Sequence, residues 1–436
     1  AGRVRRLYDD DMDGRFDRSV DFLEGLRFPT DVKIWRDGVL ICDAPRVLLA
    51  RDTDGDGRAD QVRTLLDGFA THNPHARVNS LRWSQDGWLH GSCGLFGGSI
   101  TIYRDEETGV PVGEPYPLGG RDFRWRPDTG EFQAVSGSTQ QGRSRDDWNR
   151  WFGCDNGTLL RYYPLEAGVA ENCPWLDAPA SALDPTVVDA PGVLYPAGPL
   201  VMFALSGPPG RPTAACGLEI LRDGDWGAEF QDNSFTCEPV NQLLHRRVLT
   251  EVDGRLQAHR APTERTSEFL TSTDRWFRPV QVRSGPDGAL WVVDMVRYVI
   301  EHPQWIPEET RNRTNLLAGQ GLGRLWRIVP AERTAQIESS DLVTKAAYSG
   351  SDQGLLAALG SGRGLLRDLV HQRLIWDRRD DLADPIRQIA ATAEFPAARL
   401  QAWHVLDQLG RLNHDDVLAA LTDEDLRVRQ AALAWA

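Results

Sequence analysis

Apolar and polar positions alternate along most of the chain, in short runs broken by Asp-Gly turns. Val32-Lys33-Ile34-Trp35-Arg36-Asp37-Gly38-Val39-Leu40-Ile41 gives the pattern: an apolar strand, a turn, a second apolar strand. Leu81 to His90, with its turn at Asp86-Gly87, repeats it, as does Val282 to Val293 with Asp287-Gly288. Such alternation around Asp-Gly reads as a β-hairpin, and hairpins recurring at a blade-like spacing predict a β-propeller. The turns at Asp37 and Asp86 lie 49 residues apart, and the one at Asp287 follows 201 further on. Weaker turn signals at Pro127–Phe132 and Arg222–Gly224 fall between. The spacing predicts an all-β, six-bladed propeller over residues 1–335. Its first blade is expected to be incomplete, because Gly2-Arg3-Val4-Arg5-Arg6-Leu7 matches the third-strand segments Pro45–Leu49 and Gly323–Ile328.

Near residue 335 the period changes from two to the helical one. Arg367–Leu374, Arg399–Leu406 and Arg429–Trp435 align at offsets of 32 and 30 residues. Helical pairs repeating at that length predict a HEAT-like α-solenoid over 336–436, cut short in its last repeat.

The net charge of −14 disfavours nucleic acid and anionic membrane surfaces as partners. No run approaches the ~18 apolar residues of a membrane span. The six cysteines have no Cys-x-x-Cys spacing, which removes a zinc site of that kind and the Cys-x-x-Cys-His of an attached haem. Disulfides are left open by the spacing.

Two acidic loops, 43 residues apart, carry the strongest chemical signal. Asp9, Asp11, Asp13 and Asp17 occupy loop positions 1, 3, 5 and 9, and Asp52, Asp54, Asp56 and Asp60 occupy the same positions in the second copy. Alternating carboxylates with Gly at position 6 suit a hard cation such as Ca²⁺, which takes six to eight oxygen ligands. Position 12 holds Val20 and Arg63 rather than the Glu of an EF-hand, so short calcium loops between strands are expected, with a structural role. The metal-free alternative is a pair of Asp-Gly turns.

Further segments carry a family likeness. They include Arg77-Val78-Asn79-Ser80-Leu81-Arg82-Trp83, Asp147-Trp148-Asn149-Arg150-Trp151-Phe152-Gly153-Cys154, Cys237-Glu238-Pro239-Val240, Trp276-Phe277-Arg278-Pro279-Val280 and Asp294-Met295 through His302-Pro303. Together with the Asp52–Asp60 loop they resemble the planctomycete–verrucomicrobial (PVC-type) membrane-bound dehydrogenase or haem-binding family. The resemblance implies a propeller similar to soluble quinoprotein glucose dehydrogenase, followed by HEAT-like repeats and often by a cytochrome c module. It implies an oxidoreductase acting on a sugar or other alcohol through pyrroloquinoline quinone (PQQ) and Ca²⁺. By that resemblance His75 is the base, with Arg77 and Arg278 facing anionic oxygen, and Asn79, Asp294 and Arg297 hold the cofactor. A neutral imidazole suits proton removal near pH 7. The bland alternative for each is an inter-blade tie. Calcium loops of extracellular type saturate at roughly 10⁻⁴–10⁻³ M, which points to a periplasmic, cell-surface or secreted location. Two rival readings stand beside this one. The first is a non-catalytic scaffold whose propeller face and helical groove bind a polysaccharide or a protein partner. The second is calcium-dependent lactone hydrolysis.

Overall fold

The computed structural model describes residues 2–11, 15–105, 109–165, 175, 181–187, 192–198, 210–331 and 350–436. The chain divides into two compact units. One comprises Ala1–Trp83, Trp88–Arg143 and Leu165–Ala182; the other comprises Ser84–Gly87, Ser144–Pro164 and Leu183–Ala436. The strands form blades of a β-propeller. Among the described residues, five sheets have three or more strands, which corrects the six blades expected from turn spacing.

In unit one, β1 (Gly2–Tyr8) and β2 (Arg18–Leu26) pair only with each other. The next hairpins, β3 (Asp31–Trp35) with β4 (Gly38–Asp43) and β5 (Arg46–Arg51) with β6 (Gln61–Phe69), lie in one meander. β7 (Asn79–Trp83) and β8 (Leu89–Ser92) leave that sheet and join β11 (Phe123–Arg126) and β12 (Glu131–Ala134). β9 (Gly98–Ile102) and β10 (Tyr116–Pro117) return to the edge of β6, giving a six-stranded sheet. Two later strands are thereby added to an existing blade. The return is tight at Gly97, where φ is +63° and a Cβ would sit 1.2 Å from the Gly119 carbonyl oxygen, so only glycine fits. The β1–β2 ribbon is held by apolar packing of Phe22 and Leu26 on Ile41, Leu48 and Ala50.

Unit two holds three sheets. β13 (Ser144–Arg145), β14 (Trp151–Asp155) and β15 (Thr158–Tyr163) form the first. β16 (Cys216–Ile220), β17 (Ser234–Glu238), β18 (Leu243–Val252) and β19 (Arg255–His259) form the second, with β20 (Leu270–Thr271) also on β18. β21 (Pro279–Ser284), β22 (Leu290–Asp294) and β23 (Arg324–Ile328) form the third. The turn expected at Arg222–Gly224 lies in the connection between antiparallel β16 and β17 and leads into a 3₁₀ turn, Gly224–Trp226. Its backbone is engaged elsewhere: the Gly224 N–H donates to Gly362 O at 3.0 Å, and the Gly364 N–H to Arg222 O at 3.1 Å.

After a short helix α1 (Glu308–Arg313), a C-terminal helical region follows: α2 (Asp352–Leu359), α3 (Gly364–Trp376), α4 (Ala383–Thr392), α5 (Pro396–Gln408), α6 (His414–Leu421) and α7 (Leu426–Ala432). The three segments aligned in the sequence fall within or across α3, α5 and α7. α2, α4 and α6 pack in succession, as do α3, α5 and α7. Their shared core includes Leu366, Val370, Leu400, Trp403 and Val428. None of the described helices is long and apolar enough to cross a membrane. Five cysteines (Cys42, Cys93, Cys154, Cys216 and Cys237) are free and buried, and Cys173 lies outside the described residues.

A buried charge cluster ties strand and helix within unit two. Asp147 accepts from Arg367 Nη2 at 2.6 Å and from Arg222 Nη1 at 3.0 Å. Asp368, on α3, accepts from Arg145 Nη2 at 2.7 Å, from Gln401 Nε2 at 3.0 Å and from Arg222. Burial alone would raise both carboxyl pKa values. The surrounding guanidinium groups outweigh it and hold both below the usual carboxylate range.

Candidate functional site

The acidic loops are the nine-residue connections of two equivalent hairpins. Tyr8 pairs with Arg18 across the first and Arg51 with Gln61 across the second, so the 43-residue repeat holds in register as well as in sequence. In the first loop, oxygens of Asp9, Asp11 and Asp17 lie within 4.8 Å of one another; in the second, those of Asp52, Asp54 and Asp56 do. Oxygens bound to one Ca²⁺ at its ordinary distances can be up to about 5 Å apart, so each trio fits that ion. The donor set is all carboxylate, which suits a hard cation and leaves its remaining positions to carbonyls and water.

Local hydrogen bonds shape the second loop. Asp52 accepts the Gly55 N–H at 2.7 Å and the Gly57 N–H at 2.9 Å, and both glycines are left-handed, at φ +81° and +88°. Asp60 accepts the Thr53 N–H at 3.3 Å and its hydroxyl at 2.7 Å, closing the loop's neck outside the trio. Asp17, its counterpart, accepts the Asp10 N–H at 2.7 Å and also belongs to the first trio. Asp13 lies outside the described residues.

His75, Arg77 and Asn79 follow one another in unit one, on the loop entering β7. Asn73 Oδ1 accepts the His75 N–H at 2.9 Å, an Asx turn that leaves the imidazole exposed. Arg77 is half-buried, its guanidinium 4.6 Å over the Phe28 ring, with Nη2 donating to Thr71 O at 3.3 Å. Its buried Nε has no hydrogen-bond acceptor. Asn79 is buried and occupied: Nδ2 donates to Arg77 O and Gln140 O, each at 2.7 Å, and Oδ1 accepts the Ser80 hydroxyl. Asn79 therefore fixes the backbone on which Arg77 is carried.

Arg278, Asp294 and Arg297 belong to unit two. Arg278 donates to the carbonyls of Pro239, Arg297 and Tyr298 at 2.7, 2.9 and 2.9 Å. Burial presses its pKa downward. Asp294 accepts the backbone N–H groups of Arg278 and Val296 on one oxygen, and Arg324 Nε and Trp326 Nε1 on the other, at 2.8 to 3.0 Å. These two side chains brace the turn after β22. Arg297 differs, because its Nη1 is buried without an acceptor.

Sequence reasoning missed a further arrangement in unit two. His245 Nδ1 lies 2.7 Å from Glu268 Oε2, and Glu268 Oε1 accepts from Arg260 Nη2 at 2.8 Å and from the Tyr195 N–H at 3.0 Å. The 23-residue separation of His245 and Glu268 follows no motif spacing, so nothing local announced it.

Three solved structures show how far the likeness to known proteins reaches. PQQ-bound aldose sugar dehydrogenase from Streptomyces coelicolor is 13% identical, with 75% of this chain and 98% of that one covered and a TM-score of 0.31. A glucose dehydrogenase is 14% identical, covering 71% and 99%, with a TM-score of 0.31. A luciferin-regenerating enzyme is 8% identical, covering 70% and 78%, with a TM-score of 0.38. No curated protein matches. The profile described as Domain of unknown function (DUF7133) matches residues 1–332, most of the chain, and the chain therefore belongs to the DUF7133 family.

Proposed function

We propose that the chain is a calcium-stabilised, quinoprotein-like oxidoreductase that oxidises a sugar or other alcohol outside the cytoplasm and delivers electrons to a cytochrome c module. The observation that carries the reading is the state of Arg77, singled out for anionic oxygen. Its buried Nε has no acceptor. An unpaired buried donor costs about 1–3 kcal/mol, and a carboxylate-bearing quinone would supply the missing acceptor. When bound, PQQ provides a two-electron acceptor for the hydride leaving the carbinol carbon. The exposed His75 imidazole takes the hydroxyl proton as the carbonyl forms, and Asn79 holds the Arg77 backbone in place. Asp294 and Arg278, both occupied in bracing, act on the shape of their turn rather than on the reacting atoms. The calcium loops keep their hairpins closed at the millimolar calcium of an extracytoplasmic setting.

Within the same reading, residues 1–335 are the propeller domain and 336–436 a HEAT-type array that receives a protein partner. What supports the array is the succession of helix pairs packing like on like. The bracing by Arg278 and Asp294 favours the second reading, a scaffold binding a polysaccharide or protein.

The test is titration of PQQ into the calcium-loaded protein, followed by dye reduction over a panel of sugars and alcohols. Saturable binding, with reduction lost by about 10²–10⁴-fold in His75→Ala, is the expected result. Absence of PQQ binding by the folded, calcium-loaded protein overturns the reading and leaves the scaffold.

A further inference from the structure

Cys216 on β16 and Cys237 on β17 are directly opposed residues of one antiparallel ladder. Both are free thiols, 8% and 0% exposed, and both belong to one apolar core with Leu244, Val282 and Val292. Opposed residues on antiparallel strands share a face, with Cα atoms about 4.5–5.5 Å apart, inside the ~4.4–6.8 Å that a disulfide spans. Their Cβ atoms stand about 4.5–5.5 Å apart, against about 3.5–4.5 Å in a disulfide, so closure asks for a shift of about 1 Å. The ladder supplies that freedom. Its register slips between Cys216 and Glu219, where Gly217 takes a φ of +63°. The cysteine pair therefore lies beyond a bulge, apart from the pairs of Glu219 with Phe235 and Ile220 with Ser234.

Burial, and after it the charge of the neighbouring Cys237, pushes the Cys216 thiol well above its ordinary value; burial and then Cys154 do the same to Cys237. Buried thiols so raised are inert toward exchange, so a bond between them forms while β17 is pairing with β16, before the core closes. Cys154 is the third thiol of this neighbourhood, but it stands on β14, in another sheet. Packed sheets lie about 10 Å apart, farther than a disulfide between their backbones reaches.

We propose that Cys216 and Cys237 are a modification site, joined by a cross-strand disulfide when the chain folds in an oxidising compartment. The oxidant is the disulfide of a thiol–disulfide oxidoreductase. The two cysteine thiols give up two protons and two electrons as their S–S bond forms, and the oxidoreductase leaves as a dithiol. The bond closes the root of the connection over residues 221–233, whose Gly224 and Asp225 are bonded to Gly362 and Arg363 ahead of α3. It needs neither quinone nor calcium, and so stands apart from the functional reading above.

The full chain, exported to a bacterial periplasm and purified without reductant, tests it by alkylation in denaturant and non-reducing peptide mapping with fragmentation. The folded wild type is expected to carry a linkage between Cys216 and Cys237, and Cys154→Ser is expected to keep it. The same chain made in a reducing cytoplasm is expected to yield both thiols free and to melt about 3–6 °C lower, a gap that Cys237→Ala abolishes. Free Cys216 and Cys237 in the folded, exported wild type overturn the proposal, as does a linkage of either one to Cys154 or Cys173.

Discussion

Asp52 and Asp223 show how differently one side chain behaves in two settings. Asp52 lies half-buried in its loop, receives two amide N–H groups and shares its trio with Asp54 and Asp56. Asp52→Asn removes one of three charges at the centre of a weak site and is expected to lower Ca²⁺ affinity at the second loop about tenfold or more, read by terbium luminescence or calorimetry. Asp223 is 1% exposed, with both oxygens unpaired, and it faces Arg222, Arg367, Asp225 and Arg363. Burial pushes its pKa up to about 7 from an ordinary 3.8, and does the same for Asp232. The folded protein therefore keeps protons that the unfolded chain releases between those values. The contribution of these two carboxyls to the unfolding free energy is expected to fall as pH rises from about 4 to 7 and then to level off, while His245, His371 and His404, whose burial brings their imidazoles down to about 4, 3 and 4, contribute in the opposite direction up to their ordinary value. Asp147 and Asp368, held low by arginines, act oppositely and withdraw stability only below the unfolded carboxylate value. Asp223→Asn should make the slope of chemical-denaturation stability between pH 5 and 7 more positive; an unchanged slope would remove Asp223 as a contributor.

Among the elements, α3 carries the greatest electrostatic consequence. Arg367, 1% exposed, reaches Asp147 and the Ser361 carbonyl, and its neighbour Asp368 receives Arg145, Arg222 and Gln401. Such a cluster is not an argument for net stability, because desolvation offsets much of its attraction, but removing one member strands the others in a low dielectric. Arg367→Met is expected to cost about 3–5 kcal/mol, a drop of roughly 10 °C in melting temperature by calorimetry. Arg373→Ala is the control: its ion pair with Asp377 on the same helix is half-exposed, and loss of at most about 0.5 kcal/mol is expected. The two acidic hairpins make a second comparison at this scale. Loop two is tied to the ribbon by the Ala59 N–H donating to Phe22 O at 2.7 Å. Chelation with EGTA is therefore expected to expose β1–β2 first to limited proteolysis, with a first cut before residue 30.

At the scale of the whole molecule, what could be read from sequence was what neighbours in sequence decide. The hairpins around Asp37, Asp86, Asp128 and Asp287 stand where alternation and turn chemistry placed them. The acidic loops fold as paired copies because nine consecutive residues contain everything they need. Blade number was not legible, since β9 pairs with β6 across the intervening β7–β8 hairpin, and no local pattern distinguishes that return from a new blade. The turn expected at Asp223 stands in the β16–β17 connection, but the bonding of its backbone to Gly362 and Gly364 lay beyond any local pattern. His245 and Glu268, like Asp147 and Arg367, are pairs that only the folded chain brings into contact. The buried cluster also sets a schedule for synthesis. Asp147 leaves the ribosome 220 residues ahead of Arg367, its closest counter-charge. At about 5–20 residues per second that is a wait of roughly 11–44 s. During it the strands from β13 to β23 exist without the helix that neutralises them. Nascent chains stalled before α3 emerges should therefore be far more sensitive to protease, and more dependent on chaperones, than chains stalled after α5 has cleared the tunnel.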